Sequence, residues 1–350
     1  MRVLVTGGAG FIGSNLVRML VAQGHEVLNF DKLTYAGNQR SLQDLGGNPR
    51  HRLCIADLCD TTAIINAVQQ FRPDWILHLA AESHVDRSID APGQFIQTNI
   101  VGTYNLLQAA RNYWIQLDKS NKKNFRLLHV STDEVYGSLG PQGYFTEHTA
   151  YDPHSPYSAS KAASDHLARA WQDTFGLPVL VTNCSNNYGP YQFPEKLIPV
   201  VVLKCLRGEP IPVYGHGENI RDWLYVEDHC EALISVVSRG RVGQTYNIGG
   251  NNEVKNIDLV KRLCQILDIA KSRKDGRSYT EQITFVADRP GHDQRYAIDT
   301  SKIKQELDWS PKQNHVSGFE KTVAWYLQNE DWWQEILSGQ YKLVRLGVAD

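Results

Sequence analysis

Short runs of hydrophobic, often β-branched residues alternate with longer amphipathic stretches through the first half of the chain. The runs predict strands at 3–5, 26–30, 51–56, 75–79, 126–130 and 179–183. Between them, apolar residues recur at intervals of three and four and predict helices, among them 12–23, 95–113 and 158–175. Strands that alternate with helices form parallel sheets covered on both faces, so the pattern predicts an α/β fold with a doubly wound parallel sheet.

The pattern changes after residue 184, where prolines become frequent and glycine-rich turns appear at 215–217 and 249–250. We therefore expect a first domain at 1–183. Residues 184–350 should form mainly a smaller mixed α/β domain that contributes a substrate pocket. Within this second part, the segment 222–237 is expected to return to the first sheet.

The composition and charge of the chain limit the kinds of binding partner and the cellular compartments that we expect. The chain has 350 residues, 42% of them hydrophobic, which is enough for a sizeable core. Its net charge of −2 and its scattered basic residues give no surface for nucleic acid. The sequence has no membrane-length apolar stretch, and we expect no leader before the first strand. The six cysteines lack metal-binding spacings, so we expect reduced thiols, no metal site and a cytoplasmic location.

A glycine-rich turn follows the first predicted strand and opens a helix. Gly7, Gly10 and Gly13 have the spacing Gly-x-x-Gly-x-x-Gly, which allows a tight turn and lets the helix N-terminus face a pyrophosphate. The motif alone could also be a simple helix cap. Asp31 ends the second strand, where its carboxylate would bind a ribose hydroxyl and repel a 2′-phosphate, although the adjacent Lys32 weakens that argument. The sequence therefore predicts a Rossmann-type sheet that binds NAD rather than NADP.

Tyr157 and Lys161 lie four residues apart in a predicted helix and therefore share one face. The ammonium can lower the pKa of the phenol by its charge and can help to hold a cofactor ribose. Because this spacing also arises by chance, a surface pair is the alternative. Its position after a nucleotide-binding half and a strand that ends in Ser131 and Thr132 favours the catalytic interpretation.

Asp133 and Glu134 form an adjacent acid pair directly after that strand. Two carboxyl groups at such a turn can divide acid and base work between neighbouring atoms of one sugar ring. A pair that only caps a following helical turn is the alternative. We expect the pair to be catalytic.

The glycine turn, the strand ending in Ser131 and Thr132, and the Tyr157–Lys161 pair together resemble the extended short-chain dehydrogenase/reductase family over essentially the whole chain. Within it, several stretches resemble the nucleoside diphosphate glucose 4,6-dehydratases, particularly those acting on thymidine diphosphate glucose. These stretches are 31–38, 81–86, 131–137, 185–190, 194–199, 221–223 and 288–292. The charged segment 271–281 departs from the pattern and leaves its local conformation open.

The resemblance and the strand-end positions together imply a set of site residues. The expected catalytic residues are Thr132, Asp133, Glu134, Tyr157 and Lys161. The expected NAD-binding residues are Gly7, Gly10, Phe11, Ile12, Gly13, Asp31, Lys32, Leu33, Thr34, Asp57, Leu58, Leu79, Ala80, Ala81, Ser83, Thr98, Tyr157, Lys161 and Asn187. The residues implied to hold the sugar are Ser83, Thr132 and Asn186, and those for the nucleotide diphosphate are Lys196, Leu197, Pro212, Tyr214, Arg221, Asn256, Arg289 and His292.

The resemblance also implies a closed redox cycle. Tyr157 takes the proton of the sugar 4-hydroxyl while hydride passes from C4 to NAD, Glu134 removes the C5 proton, and Asp133 protonates the departing 6-hydroxyl. Water is lost in this elimination, and return of the hydride to C6 with reprotonation of C5 gives a 4-keto-6-deoxy sugar nucleotide with no net oxidation. A homodimer through the helices at 95–113 and 158–175 is expected as well.

Two other functions stay open on the sequence alone. A sugar-nucleotide 4-epimerase shares the oxidation step but needs no acid pair, and a non-catalytic NAD-sensing protein would need only the dinucleotide fold. The nucleotide base is also open physically, because thymine and uracil differ by one methyl group, worth about 1 to 3 kcal/mol of discrimination.

Overall fold

The computed structural model describes residues 1–288 and 292–338, in which strands and helices alternate as expected. The strands are β1 (Arg2–Thr6), β2 (Glu26–Asp31), β3 (His51–Ile55), β4 (Trp75–His78), β5 (Arg126–Thr132), β6 (Val179–Cys184), β7 (Asn186–Tyr188), β8 (Ile211–Tyr214), β9 (Ile220–Tyr225), β10 (Thr245–Ile248), β11 (Glu253–Lys255) and β12 (Ile283–Val286). The α-helices are α1 (Phe11–Ala22), α2 (Thr61–Phe71), α3 (Val85–Asp90), α4 (Pro92–Phe95), α5 (Gly102–Trp114), α6 (Lys119–Asn124), α7 (Pro156–Phe175), α8 (Leu197–Arg207), α9 (Val226–Arg239), α10 (Asn256–Ala270), α11 (Ser301–Leu307), α12 (Ser317–Gln328) and α13 (Glu330–Ser338).

Seven strands form one parallel sheet in the order β10-β6-β5-β4-β1-β2-β3. The strand order reverses between β1 and β4, because the chain builds outwards to β3 on one side and to β6 on the other. This arrangement confirms the Rossmann-type α/β fold. In such sheets, the crevice at the carboxyl ends of the two strands where the order reverses is the usual ligand site.

Both faces of this sheet are covered, which explains why its strands read as continuous hydrophobic runs. Val3 and Val5 of β1 face one layer of the core, which contains side chains of α1 and α9. Leu4, between them, faces the opposite layer, with side chains of α2, α5 and α7. Full burial of such a side chain is worth roughly 1.5 to 3 kcal/mol relative to its exposure.

The second half of the chain builds its own core. Strands β11, β9 and β7 form a three-stranded sheet and β12 pairs with β8. The side chains of α8, α10, α12 and α13 pack against them around the fully buried Tyr188, Phe319 and Tyr326. The charged segment 271–281, whose conformation the sequence left open, makes a turn in which Asp268 accepts hydrogen bonds from Ser278 and the Tyr279 backbone.

The return to the first sheet differs in detail from the expectation for 222–237. Strand β9 pairs within the small sheet, whereas α9 packs on the large one, and β10 adds the seventh strand beside β6. The sequence pattern missed β10 because it has four residues, including the polar Asn247. The division into domains at residue 184 stays a prediction.

The helix expected at 95–113 is interrupted. It begins as α4, widens into a π-helical turn at Ile96–Val101 and continues as α5. Asn99 lies in this turn and donates hydrogen bonds to the Glu82 carbonyl at 3.0 Å and the Ser160 hydroxyl at 2.8 Å. Such turns are frequent at functional sites, and the neighbouring Thr98 lines the cleft described below.

Across 1–288 and 292–338, no helix combines the length and the apolar character that a membrane span requires. The six cysteines are unbridged. Cys205 and Cys264 are neighbours, with their sulfur atoms 3.9 Å apart in the core between α8 and α10.

Candidate active site

The carboxyl ends of the central strands open into one cleft of about 1770 Å³, measured with its open mouth. The turn between β1 and α1, the ends of β2, β4, β5 and β6, and the segment before α8 all contribute to its wall. The cleft therefore lies at the crevice where the strand order reverses.

The glycine turn is packed too closely for side chains. Gly7 has a φ of +73°, and a Cβ there would lie 2.7 Å from the Ala80 backbone. A Cβ at Gly13 would lie 2.1 Å from the Gly7 carbonyl oxygen. No side chain caps the N-terminus of α1, so the backbone N–H groups of its first turn are left for a ligand. This uncapped end on the cleft wall fits the pyrophosphate of a dinucleotide.

Asp31 organises the cleft at the end of β2. Its carboxylate accepts hydrogen bonds from the backbone N–H groups of Ala9 and Leu33, both at 2.8 Å. Burial raises the pKa of Asp31, and these backbone hydrogen bonds oppose that shift. Lys32, whose charge seemed to weaken the case for NAD, pairs with Asp57 at 3.0 Å. The arrangement leaves Asp31 lining the cleft where a ribose is expected.

Tyr157 and Lys161 lie in the first two turns of α7, with both side chains buried against the cleft. Lys161 Nζ donates a hydrogen bond to the Val130 carbonyl at 2.8 Å. Burial, together with the negative charge of Glu134, raises the pKa of Tyr157 well above its ordinary value, and a hydrogen bond with Thr132 opposes the rise. The sequence led us to expect a lowered pKa from Lys161. The net direction is the opposite because burial dominates.

The acid pair begins a 3-10 turn, Asp133–Tyr136, at the end of β5, where the Thr132 hydroxyl accepts a hydrogen bond from the Glu134 backbone at 3.3 Å. Asp133 is 1% exposed, whereas Glu134 is partly exposed. Burial and then the charge of Glu134 raise the pKa of Asp133 well above its usual range. The environment therefore divides the pair, and Asp133 is the member whose protonated form burial favours.

The far wall of the cleft comes from the segment before α8. Glu195 accepts a hydrogen bond from Arg87 Nε at 3.1 Å and from the Tyr35 hydroxyl at 3.3 Å, and the Arg87 guanidinium lies 3.7 Å above the Tyr35 ring. Lys196 Nζ donates to the Ser83 carbonyl at 2.9 Å. These contacts connect the loop after β2 and the residues around α3 to the segment before α8.

Most expected residues meet in this cleft. All five expected catalytic residues line it, as does every expected NAD residue except Leu33, whose backbone N–H supports Asp31 from behind. Of the expected substrate residues, those that line it are Ser83, Thr132, Asn186, Lys196 and Leu197.

Of the remaining expected substrate residues, those within 1–288 and 292–338 do not line this cleft. Tyr214 hydrogen-bonds to Asp86 at 3.4 Å, and Arg221 is buried, donating to the Asp293 carbonyl at 2.8 Å. The charge of Arg221 still reaches Asp133 and opposes the rise in its pKa. Pro212 lies in β8, Asn256 begins α10 and His292 pairs with Asp288 at 2.6 Å. Arg289 lies outside the described residues.

Sequence reasoning missed part of the wall. Val130, Ser131, Cys184 and Ser185 lie at the carboxyl ends of β5 and β6, so the strand-end rule could have found them. The others come mostly from loops without a periodic signal; they are Phe30, Ala36, Gly37, Ala56, Glu82, Gln192, Phe193, Glu195 and Trp223.

This combination of a parallel sheet, a glycine turn at its crevice and a buried Tyr–Lys pair defines an extended short-chain dehydrogenase/reductase. The family model of GDP-mannose 4,6 dehydratase matches residues 4–322. A dTDP-glucose 4,6-dehydratase of Xanthomonas campestris is 58% identical over 346 residues, 99% of each chain. One from Escherichia coli K12 is 57% identical over 98% of this chain and 97% of its own. The chain therefore belongs to the GDP-mannose 4,6 dehydratase family and, within it, to the dTDP-glucose 4,6-dehydratases.

Solved structures agree. The dTDP-glucose 4,6-dehydratase DesIV from Streptomyces venezuelae, crystallised with NAD bound, is 44% identical with a TM-score of 0.87 over 96% of this chain and all of its own. A UDP-glucose 4-epimerase from Thermotoga maritima has a TM-score of 0.83 over 94% of this chain and all of its own, but is only 27% identical. The fold is common to both activities, whereas the sequence identity is higher with the dehydratase than with the epimerase.

Replacing Asp31 with alanine should weaken NAD binding. The loss of charge-assisted hydrogen bonds to the ribose corresponds to roughly 1.5 to 3 kcal/mol, or about a tenfold to hundredfold rise in Kd. Titration calorimetry on protein stripped of cofactor measures it. Asp74→Ala is the control, since Asp74 likewise accepts a backbone N–H, that of Arg2 at 2.7 Å, but does not line the cleft. An unchanged affinity in Asp31→Ala would place the ribose elsewhere.

Proposed function

We propose that this chain is an NAD-dependent hydro-lyase that converts dTDP-glucose to dTDP-4-keto-6-deoxyglucose and water. The observation that carries the proposal is the divided acid pair, with buried Asp133 and partly exposed Glu134 both within electrostatic reach of Tyr157. A 4-epimerase has no use for such a pair. The 57–58% identity to dTDP-glucose 4,6-dehydratases over nearly the whole chain supports the same reaction and the same sugar nucleotide.

Tyr157 acts first, as the base for the sugar 4-hydroxyl. The Thr132 hydroxyl opposes the effect of burial on the phenol by hydrogen bonding, so it favours the phenolate. NAD, when bound, supplies the redox chemistry by accepting hydride from C4 and returning it to C6, so no net oxidation occurs. Lys161, one turn along the same helix, holds the cofactor ribose and provides positive charge beside the cleft floor.

The acid pair then removes water. The 4-ketone acidifies the C5 hydrogen, and Glu134 takes that proton as base. Asp133, kept protonated by burial, gives its proton to the 6-hydroxyl as the C6–O bond breaks, and C5 is reprotonated when hydride returns to C6. The two carboxyl groups thus perform different steps because their environments differ.

We assign the nucleotide diphosphate to the side of the cleft mouth formed by Lys196 and Leu197, continuing towards Arg221 and Tyr214. A guanidinium gives charge-assisted hydrogen bonds to phosphate oxygens, and a tyrosine ring gives an apolar face for a pyrimidine. In the structure, Tyr214 and Arg221 form hydrogen bonds with other groups of the same chain. Substrate binding would therefore replace some of these hydrogen bonds.

The activity is tested by incubating the purified chain with dTDP-glucose and measuring the near-ultraviolet absorbance that 4-keto sugars develop in alkali. We expect turnover of dTDP-glucose to exceed that of UDP-glucose by about 10-fold to 200-fold, the discrimination available from one methyl group. Formation of dTDP-galactose without keto sugar would identify an epimerase. Failure to convert either nucleotide sugar, with NAD still bound, would favour a non-catalytic NAD-binding protein.

Substitutions in the two halves of the reaction should stop the cycle at different points. Tyr157→Phe should form neither reduced nicotinamide nor keto sugar. Asp133→Asn and Glu134→Gln should still oxidise C4, so rapid mixing should record accumulation of reduced nicotinamide, while overall turnover falls by about a hundredfold or more. Glu134→Gln should also slow exchange of the C5 hydrogen with solvent deuterium. Normal turnover by Glu134→Gln would contradict these roles.

We further propose that the chain forms a homodimer through α5 and α7. Large apolar side chains project from this side, with Tyr104 44% and Phe175 39% exposed. Tyr104, Trp171 and Phe175 form a continuous aromatic row, with ring centroids 5.8 and 5.5 Å apart. Two adjacent helices presented this way suit an isologous four-helix interface.

Tyr104→Glu should therefore dissociate the dimer, because it would bury a charge in an apolar interface. Sedimentation velocity at micromolar concentration measures the change. Ile269→Glu is the control: Ile269 is 87% exposed on α10, so the same charge there should leave the dimer intact. A wild-type chain that sediments as a monomer would refute the assembly.

A further inference from the structure

Beneath the cleft floor, polar side chains are enclosed between α7 and strands β5 and β6. Asp165 and His129 are fully buried, and Lys161 is 5% exposed. Lys161 and Asp165 lie four residues apart on α7 and therefore on one face of it. The reaction described above uses Lys161 but gives no role to Asp165.

The hydrogen bonds of the Asp165 carboxylate come from neutral donors. His129 Nε2 lies 3.0 Å from Oδ1, and the Tyr151 hydroxyl donates to Oδ2 at 2.8 Å. Burial lowers the pKa of His129, as does the charge of Lys161, so the imidazole is neutral. Burial favours a protonated Asp165, but its hydrogen bonds with His129 and Ser131 and the positive charge of Lys161 act together against that effect, and the net result is a lowered pKa. Asp165 is therefore an anion. Its hydrogen-bonding partners stabilise the negative charge but do not neutralise it.

The buried ammonium group of Lys161 needs a negative charge near it. Its ammonium donates to the Val130 carbonyl, and burial lowers its pKa, which Asp165 and Cys184 oppose. Burial raises the pKa of Cys184 to about 12, so this thiol is neutral at physiological pH. Asp165 is thus the full negative charge that offsets the cost of burying the ammonium.

We propose that Asp165 is a positioning residue for the reaction, whose buried carboxylate keeps Lys161 cationic beside the cleft floor while Tyr157 exchanges its proton. The effect of Asp165 on catalysis rests on the proposed function. The electrostatic coupling between Lys161 and Asp165 does not depend on that function, so it can be tested separately.

The proposal fixes the sign of a pH effect. Lys161 is cationic below its pKa, so activity is lost as pH rises through that value. Removing the anion lowers the pKa of Lys161 and moves this alkaline limit to lower pH. His78 and His129 are already neutral, since burial lowers the pKa of both. The other titratable and charged groups around the pair are Tyr157 and Arg169 on α7, Cys184 on β6 and Tyr151 before α7.

The first test measures C4 oxidation in a single turnover with dTDP-glucose across pH. Asp165→Asn should move the alkaline limit to lower pH and recover activity below it, whereas Asp165→Glu should keep the wild-type limit. Tyr151→Phe is the matched control, because it removes a buried hydrogen bond to the same carboxylate but leaves both charges. A uniform loss at every pH in Asp165→Asn, or no loss, would overturn the proposal.

The second test needs no substrate, so it is readable even if the proposed function is wrong. Thermal unfolding is compared for Lys161→Met, Asp165→Asn and the double variant. Lys161→Met leaves a buried carboxylate without its counter-charge, so removing both charges should raise the melting temperature above that of this single variant. A double variant that melts no higher, or does not fold, means that the two charges are uncoupled and the proposal fails.

Discussion

The covering of both faces of the parallel sheet is the constraint on which the rest of the molecule depends. Val3, Leu4 and Val5 bury alternate side chains into two separate apolar layers, so neither face of β1 offers room for a ligand. The polar groups that face a ligand therefore gather where the strands end. Thr132 and Cys184, the last residues of two adjacent strands, both line the cleft for this reason. The chemistry is confined to one edge of the sheet by the packing of the other residues.

This confinement brings charged groups into surroundings that resist charge. Burial raises the pKa values of Asp133 and Tyr157, whereas hydrogen bonds and the positive charge of Lys161 lower that of Asp165. The surroundings thus shift two carboxyl groups near one cleft in opposite directions. The differences come from burial, from neighbouring charge and from the number of hydrogen bonds each group accepts.

The sequence predicted the large-scale organisation well, because it depends on repeated signals. The six strands read from hydrophobic runs all lie in the parallel sheet, and the glycine spacing, Asp31, the acid pair and the Tyr157–Lys161 pair all meet in one cleft. Features that depend on contacts between distant residues could not be read in this way. The link from Arg87 and Tyr35 to Glu195 joins three separate segments, and the raised pKa of Tyr157 reflects burial, which local spacing does not reveal. Asn99, in the π-helical turn at Ile96–Val101, bonds to Glu82 and Ser160, and these contacts also join residues that are distant in the sequence.

Strand β10 lies far along the sequence from its neighbour β6, and this affects how the protein folds during synthesis. The strand pairs with β6 only after the chain has left the large sheet at residue 184 and built β7, β8, β9 and the helices between them. Until residue 248 has emerged from the ribosome, one side of β6 is an unpaired edge, and until residue 239 has emerged, the apolar face of α1 that α9 covers is open to solvent. The nascent sheet thus passes through a stage with exposed hydrophobic surface and an unprotected strand, in which chaperone binding or misassembly competes with completion. The same connectivity means that cutting the gene at the apparent boundary would yield an incomplete sheet instead of a free-standing domain.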